Sequence, residues 1–87
     1  MFPSDTKVRV AVIFNGTGGI KPVWFEAQGQ QVRIEKVCYR WTYMEGAATI
    51  LNFAVWDGKE AYELAYNVKA GRWMLREKMG RGVAINL

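Results

Sequence analysis

Few side chains in this sequence are suited to acid–base, nucleophilic or metal chemistry. The chain contains no histidine, so it lacks the usual general base and the commonest metal ligand. Its single cysteine, Cys38, does not make a thiolate zinc site alone, and its single serine, Ser4, has no base to activate it. The main carboxylates fall at turns or at outward strand positions: Glu26, Glu35, Asp57, Glu60 and Glu63. We therefore expect a protein that is not an enzyme and that holds no metal or cofactor.

Two short features have a chemical interpretation and a plainer one. Asn15–Gly19 is rich in glycine, but a strand follows it rather than the helix that phosphate loops require. A simple turn is therefore the better prediction. Cys38 stands between Lys36 and Arg40, and cationic neighbours favour a reactive thiolate. A small packed side chain is the alternative, and the sequence leaves both open.

Aromatic and basic residues are the strongest indication of function. The aromatic side chains are too many for the core of so small a domain, and several are predicted on the outer faces of strands alongside arginines. Such a surface is typical of protein–protein interfaces, in which Trp, Tyr and Arg are enriched. It is also typical of small β-barrels that stack the bases of single-stranded nucleic acid. The residues predicted to form it are Trp24, Arg40, Trp41, Trp56, Arg72, Trp73, Arg76 and Lys78.

Charge and composition indicate a single small domain inside the cell. Residues 69–81 hold five basic side chains against Glu77 alone, which equals the whole net charge of +4. The single cysteine favours a reducing compartment, and no apolar run approaches the length of a membrane span. We expect a cytoplasmic protein without a membrane anchor, in which residues 1–6 are a leader and 79–87 a tail, either flexible or paired with a sheet edge.

Alternation of apolar and polar residues predicts an all-β fold. Period-two runs separated by glycine-rich turns favour a five- to six-stranded antiparallel meander that curls into a small barrel or half-barrel. The first run, Lys7–Phe14, is apolar on both sides near its end. Such a strand at a sheet edge invites pairing with another chain, so we expect a homodimer or higher oligomer. The predicted strands cover residues 7–14, 20–28, 32–44, 49–56, 60–68 and 72–78.

The segment Val32–Met44 is the longest predicted strand, and its apolar positions change phase along it. Val32 and Ile34 occupy even positions, whereas the apolar residues from Val37 onwards occupy odd ones. Because residues two apart share a face, a one-residue β-bulge is needed, and we predict it at Glu35–Lys36. This bulge would bend the strand and turn Tyr39, Trp41 and Tyr43 into the core, with Cys38 and Arg40 facing outward.

Residues 24–41 also resemble a family. An aromatic pair, a hairpin glycine, a pair of valines and an Arg-Trp pair occur at Trp24, Phe25, Gly29, Val32, Val37, Arg40 and Trp41. A looser match follows at Phe53, Asp57, Gly58, Tyr62, Leu64 and Trp73. Over residues 20–76 the chain resembles small bacterial all-β proteins with no assigned activity. Some members are similar to proteins encoded beside DNA-repair polymerases, which implies a nucleic-acid role, although Gln30-Gln31 stands where a basic or aromatic residue is usual.

Overall fold

Every regular element that the structure describes is a β-strand. The computed structural model of the chain describes residues 6–17 and 19–80, with side chains as far as Arg76. The strands pair antiparallel throughout, so the all-β antiparallel prediction is confirmed. In chain order they are β1 (Thr6–Phe14), β2 (Ile20–Ala27), β3 (Gln30–Arg33), β4 (Lys36–Glu45), β5 (Ala48–Trp56), β6 (Ala61–Asn67) and β7 (Arg72–Gly80).

The strands form one curled sheet in the order β3-β2-β1-β7-β6-β5-β4. Hairpins join sequence neighbours on both sides, and β1 pairs with β7, so the first and last strands meet in the middle of the sheet. The two edge strands, β3 and β4, are consecutive in the chain. The sheet is therefore a half-barrel, as predicted, and it is split where β3 passes into β4.

A change of pairing partner divides the long predicted strand into β3 and β4. The amide of Ile34 donates to the carbonyl oxygen of Val23 in β2 at 3.0 Å, whereas the next amide, Glu35, donates to Trp56 in β5 at 2.7 Å. The chain thus leaves one side of the split and joins the other within two residues. Because the long segment forms two strands, the sheet has seven strands, and the predicted count of five to six is wrong.

The β-bulge lies at Cys38, not at the predicted Glu35–Lys36. Pairing of β4 with β5 runs from Val37–Val55 to Tyr39–Ala54, which leaves Cys38 as the extra residue. Every later side chain of β4 is therefore on the face opposite to the predicted one. Tyr39 and Tyr43 are 50% and 40% exposed rather than in the core. Arg40 lies opposite the buried Phe53, so it is on the inner face, not the outer one.

One apolar core fills the inner face of the curl. Its members come from both sides of the split, and Phe25 of β2 contacts Tyr62 of β6 with ring centroids 5.2 Å apart at 74°. Val8 and Val10 of β1 pack against the same core. The buried residues of this core are Phe25, Ala27, Val32, Ile34, Phe53, Val55, Tyr62, Leu64 and Leu75.

Strand β1 lies between β2 and β7 in the order of the sheet rather than at its edge, but each half of the strand pairs with only one of these neighbours. Thr6–Val8 pair with β7, while the strand pairs with β2 from Arg9 onwards. The predicted leader 1–6 and tail 79–87 fall mostly outside the described residues. Of these, only Thr6, in β1, and residues 79–80, in β7, belong to described strands.

Candidate interaction surfaces

Three aromatic side chains lie in a row on the outer face, the side of β4–β7 turned away from the core. Tyr39, Trp41 and Tyr43 of β4 pair with Ala54, Asn52 and Ile50 of β5. Those β5 residues alternate with the core residues of the same strand, so the aromatic row faces away from the core. The Tyr39 and Trp41 rings stack on each other with centroids 5.5 Å apart.

Small side chains occupy the middle of the outer face. Ala48, Ile50 and Ala65 form a second apolar cluster there, and Asn52 beside them is only 1% exposed. The Nδ2 of Asn52 donates to the Ile50 carbonyl oxygen at 3.3 Å, whereas its Oδ1 has no hydrogen-bond partner in the described structure. The outer face of β5 and β6 is thus covered by short side chains, next to the longer aromatic side chains of β4.

Two arginines of β7 lie on the same outer face. Arg72 pairs with Asn67 of β6 in the sheet. Arg76 forms an ion pair with Glu45 of β4, with Nη2 and Oε1 3.5 Å apart. Both arginines line a cavity of about 230 Å³. Its apolar lining is Ile50, Ala65, Ala70 and Met74. The outer face therefore combines stacking surfaces on β4 with guanidinium groups on β7.

Two of the predicted surface residues, Arg40 and Trp73, lie on the inner face instead. The Trp73 ring packs against Tyr66 and Phe53, with centroids 4.9 and 5.6 Å away. The Nη1 of Arg40 donates to the Ile20 carbonyl oxygen at 2.7 Å, and its guanidinium carbon lies 5.4 Å from the Phe53 ring centroid. Arg40 thus bridges the split between β4 and β2 and covers one end of the core. Arg40 and Trp41 both line a cavity of about 260 Å³, but neither Arg40 nor Trp73 lines the cavity that Arg72 and Arg76 share.

The remaining predicted surface residues are dispersed. Trp24 lies on β2 opposite Arg33 and, with Val23, lines a separate cavity of about 420 Å³. Trp56 is partly buried beside Lys36, where β5 ends. Lys78 belongs to β7, but its side chain is outside the described part of the structure.

The second half of β1 is an apolar strand with one open edge. The last pair between β1 and β7 is Val8–Trp73, and beyond it β1 pairs only with β2 among the described strands. Ile13 and Phe14 are 54% and 72% exposed. The following turn is firm, because the Oδ1 of Asn15 accepts hydrogen bonds from the Thr17 and Gly19 amides at 3.2 and 2.9 Å. We call Val10–Phe14 the free half of β1.

No family model, curated protein or solved structure matches this chain. The family resemblance over residues 20–76 therefore stays a prediction. Within residues 6–17 and 19–80, no cluster of three or more cysteine, aspartate or glutamate side chains is arranged to hold a metal ion. Nor do the residues described there include a helix with the length and apolar character needed to cross a bilayer.

Proposed function

We propose that this protein is a non-enzymatic interaction module that associates with itself through the free half of β1. The observation that carries the proposal is the apolar edge of Val10–Phe14, which pairs with no strand among the described residues. Its last two side chains, Ile13 and Phe14, are more than half exposed. Neither proline nor a charged residue interrupts it, and these are the residues with which proteins normally block a sheet edge.

Self-association would satisfy two requirements of this chain. A second strand would pair the unpaired N–H and C=O groups along the open edge and cover its apolar side chains. A domain of 87 residues also buries a smaller share of its unfolded surface than a larger domain does. Any equilibrium with an associated form adds to its stability by mass action.

Light scattering coupled to size-exclusion chromatography tests the proposal. The mass should rise above the monomer value of 9.9 kDa as the protein concentration rises. Ile13→Lys should keep the protein monomeric over the same range, because a lysine on a strand edge opposes the addition of another strand.

Val68→Lys is the matched control for this experiment. Val68 is 49% exposed in the turn between β6 and β7, where its amide donates to the Thr49 carbonyl oxygen at 3.0 Å, so the substitution adds the same charge at a similarly exposed apolar position outside β1. It should associate as the unmodified protein does. A monomer at every concentration, or equal effects of the two lysines, would contradict the proposal.

Single-stranded nucleic acid is a second candidate partner, supported by the outer face. Tyr39, Trp41 and Tyr43 offer stacking surfaces there, and Arg72 and Arg76 lie across the same face. Aromatic stacking combined with backbone neutralisation is how small β folds hold single strands without sequence preference. This surface is distinct from the free half of β1, so the two activities do not exclude each other.

Fluorescence anisotropy of a labelled oligonucleotide tests the second candidate. Binding should weaken as salt rises, and the slope of log K against log salt should fall by about 0.7 for each arginine removed in Arg72→Ala and Arg76→Ala. Trp41→Ala should cost about 1–3 kcal/mol of binding. Lys59→Ala, in the turn between β5 and β6, is the control and should leave the slope unchanged. Affinity that does not depend on salt would rule this candidate out.

A further inference from the structure

We infer that the partner at the free half of β1 is the same segment of a second copy, paired antiparallel about a two-fold axis at Val12. This inference rests on the proposed self-association and specifies its geometry. In that register Val12 lies opposite Val12 of the second copy. Ala11 then lies opposite Ile13, and Val10 lies opposite Phe14.

The alternation of β1 restricts the allowed registers. Val10 pairs with the core residue Phe25, so it is on the inner face, and Ala11 pairs with Trp24 on the outer face. The irregularity beyond Ala11 comes from an extra residue in β2, since the partner changes from Trp24 to Pro22. Alternation in β1 therefore continues without interruption. Residues directly opposite in an antiparallel pair share a face, so the axis must pass through a residue and not between two.

Of these registers, only the axis at Val12 uses all of the open edge and nothing else. An axis at Ala11 would place Val8 opposite Phe14 of the second copy, but the same edge of Val8 is already paired with Trp73. An axis at Ile13 would place Ala11 opposite Asn15 and Val10 opposite Gly16 of the second copy, beyond the end of β1 at Phe14.

The side chains of the free half are complementary to an antiparallel copy of themselves. On the outer face the small Ala11 meets the larger Ile13, and on the inner face Val10 meets the larger Phe14. No charged residue lies between Val10 and Phe14, so the pairing brings no like charges together. β7 begins at Arg72, one residue beyond the last β1 pair. The incoming strand therefore has room from Val10 to Phe14 and no further.

Pairing of this length gives a small interface. Stable complexes usually bury about 20–30 residues on each side, and this one is built on a single short strand. We expect a reversible dimer whose population depends on concentration, rather than a permanent one. The same firm turn at Asn15 would end the pairing in both copies.

Disulfide trapping tests the register. In a Cys38→Ser background, Ala11→Cys and Ile13→Cys chains are prepared separately, mixed and oxidised, and the products are resolved on a non-reducing gel. Opposite residues have Cα atoms about 4.5–5.5 Å apart, within the range of a disulfide. The mixture should therefore give a covalent dimer.

Each single-cysteine chain provides the control. Alone, Ala11→Cys faces its own copy two residues out of register, with Cα atoms about 8 Å apart, too far for a disulfide. The same holds for Ile13→Cys. Val12→Cys, by contrast, should form a covalent dimer without a mixing partner, which supplies a second trap at a different position.

The outcomes separate this inference from the proposed function. Cross-linking in the mixture and at Val12→Cys, but not in the Ala11→Cys or Ile13→Cys chain alone, supports the register. A protein that dimerises by light scattering, yet cross-links equally in all samples or in none, overturns the register while self-association stands. A protein that is monomeric at every concentration overturns both.

Discussion

Replacing Phe25 with alanine should lower the free energy of unfolding by about 3–5 kcal/mol. The Phe25 side chain is fully buried. It lies between Val10 of β1 and Val32 of β3 in the register of the sheet, and its ring meets Tyr62 edge-on. It therefore connects the β1–β3 part of the core to the β4–β7 part. Truncation removes apolar contacts on both sides and leaves a cavity that the surrounding strands do not easily fill.

Urea denaturation followed by tryptophan fluorescence measures this loss. Phe14→Ala, measured at a concentration at which light scattering shows only monomer, is the matched control, because it removes the same group from a position that is 72% exposed. It should change the free energy of unfolding by less than about 0.5 kcal/mol. Similar losses in the two variants would show that Phe25 does not join the two parts of the core. Since small domains are stable by about 5–15 kcal/mol, the Phe25 variant should unfold at clearly lower urea.

The sequence predicted the class of fold because alternation with period two persists through most of the chain. It did not predict how the long segment divides, since its hydrophobic pattern records a phase change but not the location of its cause. Two events contribute in the structure. The pairing partner changes at Ile34–Glu35, and the extra residue lies at Cys38. A second phase change at Cys38 was hidden because Tyr39, Trp41 and Tyr43 resemble a core stripe.

The candidate surfaces were only partly predictable, because the pattern of aromatic residues does not show which side of the sheet they occupy. Tyrosine and tryptophan occupy both buried and exposed positions, so their spacing shows that they share a face and not which face it is. Arg40 was misplaced by the same single-residue error. The free half of β1 was indicated by the apolar character of both its faces. Its extent depends on the pairing of β1 with β7, and no local pattern reveals a contact so distant in sequence.

The turn between β5 and β6 shows how local chemistry and tertiary structure combine. Asp57-Gly58 marks the hairpin, and Gly58 has the positive φ of 102° that glycine tolerates. The Oδ1 of Asp57 accepts hydrogen bonds from the Lys59 and Glu60 amides at 2.7 Å each. Its Oδ2 accepts one from the Tyr62 hydroxyl at 3.2 Å. One carboxylate thus holds the turn and anchors a core tyrosine.

These contacts determine how Asp57 titrates. Burial acts to raise the pKa of Asp57, but the hydrogen bonds from the Glu60 and Lys59 amides and the Tyr62 hydroxyl together lower it below the ordinary value of 3.8. Burial first, and then the neighbouring carboxylates of Asp57 and Glu60, raise the pKa of Tyr62. In the folded state both groups therefore favour an ionised Asp57 that accepts from a neutral Tyr62.

Asp57→Ala should lower the free energy of unfolding by about 2 kcal/mol at pH 7, because two amides and a hydroxyl lose a charged acceptor. The folded state binds a proton at Asp57 less readily than the unfolded state. The stabilisation is therefore complete above pH 3.8 and is lost as the pH falls through the lower folded pKa. Urea denaturation at pH 7 and at pH 2–3 should show the difference between Asp57→Ala and the unmodified protein shrinking in acid.

Asp57→Asn, which retains an acceptor oxygen, should cost less at pH 7, and Lys59→Ala in the same turn should leave the pH dependence unchanged. A difference that stays constant between the two pH values would show that the Asp57 charge does not hold this turn.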